Sequence, residues 1–252
     1  VVHYSGISCD MKAIAELCHP YQIKIIEDAS HAIGGSYKNK PVGCCEYSDC
    51  TIFSFHPVKI ITSGEGGMIT TNNAPLAEKC QLLRSHGIHK NIKSMCNKNP
   101  EPWFYEQQSL GFNYRMSDIH AALGLSQLRK LKTSVHIRNQ QAQQYKDALA
   151  HLPVKLLQVP ERTYSSWHLF VIRIDPNQAI NRSKLYQLLI DAGIGCQVHY
   201  IPVHTHPYYQ ELGFAWGDFP IAEQFYQNCI SIPIFPALKK QQFVIKTLCD
   251  LL

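Results

Sequence analysis

Lys59 lies where an apolar segment gives way to a tight loop. Residues 51–55 favour a strand, Pro57 interrupts it, and three glycines follow at positions 64, 66 and 67. A lysine at such a point can bind a carbonyl-containing molecule covalently. Spacing alone favours the alternative of a surface lysine on a turn, so a second chemical group is needed to support a site.

Asp28 is the second group. It follows Ile23, Ile25 and Ile26, which predict a short buried strand, and the carboxyl end of a strand is a common functional position in an open α/β sheet. The alternative for Asp28 alone is a helix N-cap or a turn residue. An enzyme that uses pyridoxal phosphate needs a lysine that binds the cofactor and an acid that keeps the pyridine nitrogen protonated. Lys59 and Asp28 together therefore predict a cofactor site.

Four segments resemble one enzyme family. They are EDASHAIG at 27–34, FSFHPVK at 53–59, GEGG at 64–67 and GFNYRMSDIHAALG at 111–124. In this order they are similar to the DegT/DnrJ/EryC1/StrS sugar aminotransferases. Three further segments, HPVKIIT at 56–62, PWFYE at 102–106 and QVHYIPV at 197–203, most resemble the branch that serves pseudaminic acid synthesis.

The resemblance implies a fold and a domain division. The expected fold is α/β, the pyridoxal phosphate transferase fold type I, with part of a large domain, a mainly parallel sheet, and a small α+β domain. Residues 1–130 would belong to the large domain, 131–150 to a linking helix and 151–252 to the small domain. About a third of a family member is expected ahead of Val1.

The resemblance also implies a cofactor site. Catalytic roles fall to Lys59 and Asp28, and the residues expected to bind pyridoxal phosphate are Asp28, His31, Ser54, Lys59 and Asn113. His31 would lie beside the phenolic oxygen of the ring and Ser54 would bind the phosphate. Asn113 would reach the phosphate of a partner subunit, so a homodimer with shared active sites is expected. The residues alone leave His31 equally explained as a satisfied histidine and Ser54 as a solvated serine.

Substrates follow from the same resemblance. His199, Tyr200 and His204 would face a nucleotide-linked sugar, although aromatic and histidine side chains at a core edge explain them as well. The implied reaction transfers the amino group of L-glutamate to a nucleotide-linked 4-keto-6-deoxy sugar, with a UDP sugar favoured. Two alternatives remain: a dehydratase of the same family, against which the lysine argues, and a truncated or non-catalytic chain with a structural role.

Local patterns predict the positioning elements. Asp10 and either Ser117 or Asp118 are expected to cap helices that run to about Cys18 and about Ala150. Residues 195–201 predict a strand, and residues 103–105 predict an aromatic cover over the core.

Composition excludes several other functions. The net charge is +5, and the basic residues are scattered except for Lys90, Lys93 and Lys98, so nucleic-acid binding is not expected. No apolar run reaches the roughly 20 residues of a membrane span, which predicts a soluble cytoplasmic protein without a membrane partner. The 10 cysteines and 13 histidines lack the spacing of a zinc site, so free thiols and no structural metal are expected.

Overall fold

The structure is a computed structural model that describes residues 1–89, 91 and 95–252. Lys90 and Lys93 of the basic stretch lie outside the described residues. The helices are α1 Met11–Cys18, α2 Ala74–Arg84, α3 Asp118–Leu128, α4 Leu131–Leu149, α5 Arg182–Asp191, α6 Pro207–Glu211, α7 Pro220–Asn228 and α8 Gln241–Leu251. The strands are β1 Ile26–Asp28, β2 Ser36–Tyr37, β3 Lys40–Pro41, β4 Cys50–Ser54, β5 Gly67–Thr70, β6 Ile88–His89, β7 Glu106–Gln107, β8 Val154–Leu156, β9 Thr163–Tyr164, β10 Phe170–Ile174 and β11 Cys229–Ile232. Within these described ranges, every helix is too short or too polar to span a bilayer.

The first sheet has the order β1-β4-β5 and carries the predicted cofactor residues. Strands β1 and β4 are parallel, with Asp28 opposite Ile52, whereas β5 returns antiparallel to β4. Val2 extends this arrangement through a parallel bridge to Asp28. Because carboxyl ends of parallel strands meet at one edge, Asp28 and the end of β4 lie at the same side of the sheet.

The apolar strand ahead of Asp28 is buried on one face only. Ile25 packs against Met11 and Tyr37, but Ile23 and Ile26 are 56% and 52% exposed. The prediction of a wholly buried strand is therefore wrong for these two residues. Side chains of a strand alternate between the two faces of the sheet, and only the face toward α1 is covered within the described chain.

The largest core lies in the carboxyl-terminal half. Strands β11, β10 and β8 form an antiparallel sheet, and α4, α5 and α8 pack against it through Tyr145, Leu189 and Leu248. The predicted strand at 195–201 is wrong, because only Gln197 bridges to Ser231. After Gln197 the chain leaves the sheet. The main-chain oxygen of His199 accepts a hydrogen bond from the hydroxyl of Tyr4 at 2.7 Å instead.

The predicted long helix is two helices. Ser117 caps α3 by accepting from the N–H of His120 at 3.3 Å, and Asp10 caps α1 in the same way through Ala13. However, α3 ends at Leu128 and α4 begins at Leu131. At the start of α4, Leu131 packs against the cluster that contains Ile60 and Ile61.

The aromatic segment at 103–105 does not cover the core. Trp103 and Tyr105 are 77% and 56% exposed, so this prediction is wrong. The segment leads into β7, which pairs with β6 in a two-stranded sheet of the described chain. Within the described residues these aromatic side chains lie at the surface.

Candidate active site

Asp28 is held at the end of β1 by its backbone and its carboxylate. Its N–H donates to Val1 O at 2.7 Å, its main-chain oxygen accepts from His3 N at 3.0 Å, and Oδ1 accepts from Ser30 N at 3.0 Å. Burial alone would raise the pKa of Asp28, but hydrogen bonds from Ser30 and the charges of His31 and Lys59 hold that pKa below its ordinary value. Asp28 is therefore an ionised carboxylate at the sheet edge.

The neighbouring Glu27 faces the opposite side of the sheet and fixes the strand. Its carboxylate accepts from His3 Nε2 at 2.7 Å, from Thr51 Oγ1 at 2.9 Å and from the hydroxyl of Ser48. His3 and Thr51 are fully buried. This network joins three neighbouring strands on one face, so the alternation of side chains turns Asp28 toward the other face.

The loop that carries Lys59 is closed by main-chain hydrogen bonds. Phe55 N donates to Gly66 O at 2.9 Å and Ser63 N donates to Phe55 O at 3.0 Å. Gly66 has φ +149°, and a Cβ atom there would lie 2.5 Å from Met116 Cε. The positive φ favours glycine at this position, and the short distance shows that Met116 lies against the loop with the 111–117 segment.

Lys59 is half-buried beside Asp28 and His31. Burial lowers the pKa of Lys59, and the charge of Asp28 opposes that shift. A lowered pKa favours the neutral amine, which is the form that attacks a carbonyl carbon or accepts a proton. Lys59 thus has an environment that an ordinary surface lysine lacks.

His31 lies at the centre of a group of aromatic rings. Its ring is 4.4 Å from that of His168, centroid to centroid, and its Nε2 is 3.4 Å from Tyr200 Oη. Its Nδ1 accepts from the backbone N–H of Ser5 at 3.3 Å. Burial, followed by the charge of Lys59, lowers the pKa of His31 to about 4, so its ring is neutral at pH 7.

A loop of the carboxyl-terminal half completes the site. His199 Nδ1 lies 2.8 Å from Ser231 Oγ, and burial together with the charge of Lys59 lowers the pKa of His199. The following residue, Tyr200, presents its hydroxyl to His31. Next to this loop is an open cavity of about 780 Å³ whose lining includes Tyr4, Phe219 and Phe225. The structure therefore brings His199 and Tyr200, from far along the chain, to the group that contains Lys59 and Asp28.

Three predicted site residues have other contacts in the structure. His204 is buried against Glu223, with Nε2 2.7 Å from Oε1, and does not line the cavity. Asn113 is exposed in a bridge to Ser85. Ser54 ends β4, where its hydroxyl accepts from His56 N at 3.4 Å. Their assigned roles in substrate, partner and phosphate binding stay predictions.

Sequence reasoning missed Tyr4, Ser5 and His168. Residues 4–6 follow Val2, whose parallel bridge to Asp28 places them at the same sheet edge as the cofactor residues. The strand-end rule that found Asp28 could have found Tyr4 and Ser5 too, had residues 1–3 been recognised as a parallel neighbour. His168 precedes β10, and no local pattern distinguishes it from a core residue.

The sequence profile of the DegT/DnrJ/EryC1/StrS aminotransferase family matches residues 1–249. The chain belongs to this family. The resemblance drawn from the four segments is thereby confirmed. A UDP-4-amino-4,6-dideoxy-N-acetyl-beta-L-altrosamine transaminase of Campylobacter jejuni is 38% identical over 257 residues, which cover 100% of this chain and 65% of the relative. The spore coat polysaccharide biosynthesis protein SpsC of Bacillus subtilis is 38% identical over 241 residues, which cover 94% of this chain and 61% of SpsC.

Solved structures agree with this membership. Helicobacter pylori PseC, an aminotransferase involved in the biosynthesis of pseudoaminic acid, superimposes with a TM-score of 0.88 at 32% identity, covering 99% of this chain and 65% of PseC. The PLP-form of the putative sugar aminotransferase Spr1654 from Streptococcus pneumoniae superimposes with a TM-score of 0.87 at 28% identity, covering 99% of this chain and 67% of Spr1654. The predicted fold, the pyridoxal phosphate transferase fold type I, is confirmed. The chain spans 61% to 65% of the length of the curated relatives named here.

Pyridoxal phosphate is the cofactor of this family, and the residues present fit it. Asp28 is an ionised carboxylate that can pair with a protonated pyridine nitrogen. Lys59 has a lowered pKa suited to covalent binding of an aldehyde. His31 is a neutral ring between them and Tyr200, able to donate one hydrogen bond. The chemistry of these three groups is that of a pyridoxal phosphate site.

Proposed function

We propose that this protein is a pyridoxal phosphate-dependent aminotransferase that moves the amino group of L-glutamate to a nucleotide-linked 4-keto-6-deoxy sugar, with a UDP sugar favoured. One observation carries the proposal: Lys59, Asp28 and His31 lie close enough at one sheet edge to shift one another's pKa values. Family membership and the names of the relatives support sugar amination for amino-sugar or surface glycan synthesis.

The side chains would divide the chemistry between them. When bound, the cofactor supplies an electron-accepting ring that makes the substrate C–H bond acidic. Asp28 would keep the pyridine nitrogen protonated because its own carboxylate stays ionised. Lys59 Nζ would anchor the cofactor and, once free, accept the proton from the substrate carbon, for which its lowered pKa prepares it. His31 Nε2 would donate to the phenolic oxygen of the ring.

The sugar nucleotide would enter through the cavity beside Tyr200. Aromatic rings dominate its lining, and the apolar face of a deoxy sugar or a nucleobase packs well on such rings. His199 and Tyr200 add polar groups to its lining. His204 would act indirectly, because its ring packs against Phe219 of the cavity wall with centroids 4.7 Å apart.

A homodimer with shared sites is part of the proposal, as is a cytoplasmic location. Asn113 is exposed on the segment that Met116 docks against the Lys59 loop, which leaves its side chain available to a second copy of the chain. Ile119 of α3 next to it is 82% exposed, and a subunit contact would bury it.

The test is cofactor attachment followed by turnover. Purified protein with pyridoxal phosphate is expected to gain an absorbance band near the edge of the visible range. Borohydride is expected to fix the cofactor to the peptide that contains Lys59. Turnover is then measured with L-glutamate and a panel of UDP- and dTDP-linked keto sugars.

Two variants decide the assignment. Lys59→Ala is expected to abolish the band, the label and the amination, whereas Lys155→Ala, at an exposed lysine of β8, is expected to leave all three unchanged. Turnover of glutamate and a keto sugar by Lys59→Ala would refute the proposed function.

A further inference from the structure

The ring of His31 is held by two segments that are distant along the chain. Residues 4–6 supply the N–H of Ser5 to Nδ1. Residues 166–168 supply the hydroxyl of Ser166, which donates to His31 O at 2.9 Å, and the ring of His168, which packs against the imidazole in a tilted arrangement. Backbone and ring of His31 are therefore both constrained.

The N–H of Ser5 points at His31 because its own backbone is locked. Ser5 has φ 64° and ψ 0°, a left-handed conformation that is strained for a non-glycine residue and persists only where surrounding contacts enforce it. Those contacts are present: Ser5 is fully buried, and its Oγ donates to Leu169 O at 2.6 Å. The next residue, Gly6, accepts from Ser165 Oγ at 3.0 Å through its main-chain oxygen.

His168 is the second residue that holds the ring of His31 in place. It is 7% exposed, and its Nδ1 has no hydrogen-bond partner among the residues that the structure describes. Burial, followed by the charges of His31, Lys59 and Arg138, lowers the pKa of His168 to about 2. The ring is therefore neutral, and it contacts His31 in a tilted arrangement, with the ring planes 42° apart.

We propose that Ser5 and His168 are positioning residues that fix His31 as the neutral tautomer with its proton on Nε2, aimed at Tyr200 and into the site. An Nδ1 that accepts a hydrogen bond cannot carry a proton, so in a neutral imidazole the proton resides on Nε2. The inference rests on the proposed function, in which this N–H meets the phenolic oxygen of the cofactor. A neutral donor there adds no second cation beside Lys59.

The groups around His31 keep it neutral over the working range of pH. Burial and the charge of Lys59 lower its pKa, His199 adds to that shift, and Asp28 opposes it. Tyr4 is a further ring neighbour, with centroids 6.1 Å apart, and His168 and Tyr200 complete the surroundings. Because burial dominates, widening the space around the ring is expected to raise the pKa.

The tautomer can be read directly by ¹⁵N NMR of the imidazole rings of the full chain without cofactor, with a His31→Gln variant to assign the signals. His31 is expected to show an unprotonated Nδ1 and a protonated Nε2, unchanged between pH 8 and pH 5.5. The exposed His151 serves as internal control and is expected to average between both tautomers. A protonated Nδ1, or averaging like that of His151, would overturn the inference.

Variants test the two positioning residues separately. His168→Ala is expected to raise the midpoint of the His31 titration by at least about one pH unit because water reaches the ring. His168→Phe keeps a ring on the same face and is expected to leave the midpoint unchanged; equal midpoints in both variants would contradict the role of His168. Ser5→Gly keeps the N–H and permits the positive φ but loses the Oγ anchor, so a mixture of tautomers is expected, and an unmixed Nε2–H form would contradict the role of Ser5.

The NMR measurements of the His31 tautomer do not depend on turnover. If His168→Ala does not fold, the wild-type spectrum and Ser5→Gly still decide the tautomer. If the chain fails to transfer amino groups but shows the Nε2–H form, the proposed function fails and this inference stands. If it transfers amino groups with His31 in the other tautomer, this inference fails and the function stands.

Discussion

Replacing Glu27 by alanine is expected to destabilise the sheet that carries Asp28. The carboxylate accepts from His3 Nε2 at 2.7 Å and from Thr51 Oγ1 at 2.9 Å, and both donors are fully buried. A buried donor left without its partner costs about 1 to 3 kcal/mol, so two of them give about 2 to 6 kcal/mol. Ser48 is only partly buried, so its hydroxyl can form a hydrogen bond with water instead.

The assay is urea unfolding followed by far-UV circular dichroism at pH 7. Two controls bracket the result. Glu27→Gln keeps one acceptor oxygen and is expected to lose less than half as much unfolding free energy as Glu27→Ala. Glu46→Ala breaks a surface ion pair with Lys40, whose atoms are 3.0 Å apart, and is expected to lose less than about 1 kcal/mol.

The same variant predicts a pH dependence. Burial opposes ionisation of Glu27, but hydrogen bonds from His3, Ser48 and Thr51 lower its pKa below the ordinary value of 4.5. A group whose folded-state pKa is lowered stabilises the protein above its unfolded pKa, and that contribution is lost as the pH falls through the folded value. The difference in unfolding free energy between wild type and Glu27→Ala is therefore expected to be largest at pH 7 and to shrink below pH 4.5. A loss under about 1 kcal/mol at pH 7, equal to that of Glu46→Ala, would refute the reasoning.

Two further predictions concern the Lys59 loop and its partner subunit. Gly66→Ala combines φ +149° with crowding of Ser63 Oγ at 2.7 Å and Met116 Cε at 2.5 Å, and is expected to cost about 1 to 3 kcal/mol and to weaken cofactor binding, whereas Gly193→Ala, at φ +76° and with no described atom within 4 Å of the added Cβ, is expected to cost less. Equal losses of unfolding free energy, with unchanged cofactor affinity, would contradict a tighter constraint at Gly66 than at Gly193. Mixing Asn113→Ala with Lys59→Ala chains is expected to restore about a quarter of wild-type amination, because half of the random dimers are mixed and each holds one intact site. No recovery after subunit exchange would count against a shared site.

Asp28 and Lys59 could be proposed as cofactor residues from the sequence because strand ends carry a local signal. Asp28 follows a run of isoleucines and Lys59 follows an aromatic strand, and a parallel pair of strands brings such ends together. The contribution of His199 and Tyr200 required the family resemblance, since 140 residues separate Lys59 from His199 and no spacing rule links them.

The wrong predictions of burial and of helix limits share a physical cause. A local sequence pattern does not show which other parts of the chain pack against a segment. Ile26 and Trp103 have apolar side chains typical of a core, yet no described layer covers them. The long apolar face of residues 118–150 predicted one helix, yet α4 begins separately at Leu131, which packs onto Ile60 and Ile61. Propensity determined the type of element in these cases, and tertiary packing determined its limits.

His31 joins the two halves of the chain at the point where chemistry is proposed. Ser5 and Gly6 at the edge of the first sheet make hydrogen bonds to Ser165 and Leu169 at the start of the second core, and His31 lies between them. A rotation of one half against the other would move the N–H of Ser5 away from Nδ1 or the ring of His168 off the imidazole. The protonated nitrogen of His31 thus depends on the docking of the two halves, so a substitution that loosens this docking is expected to change the state of His31 even when Lys59 and Asp28 stay in place.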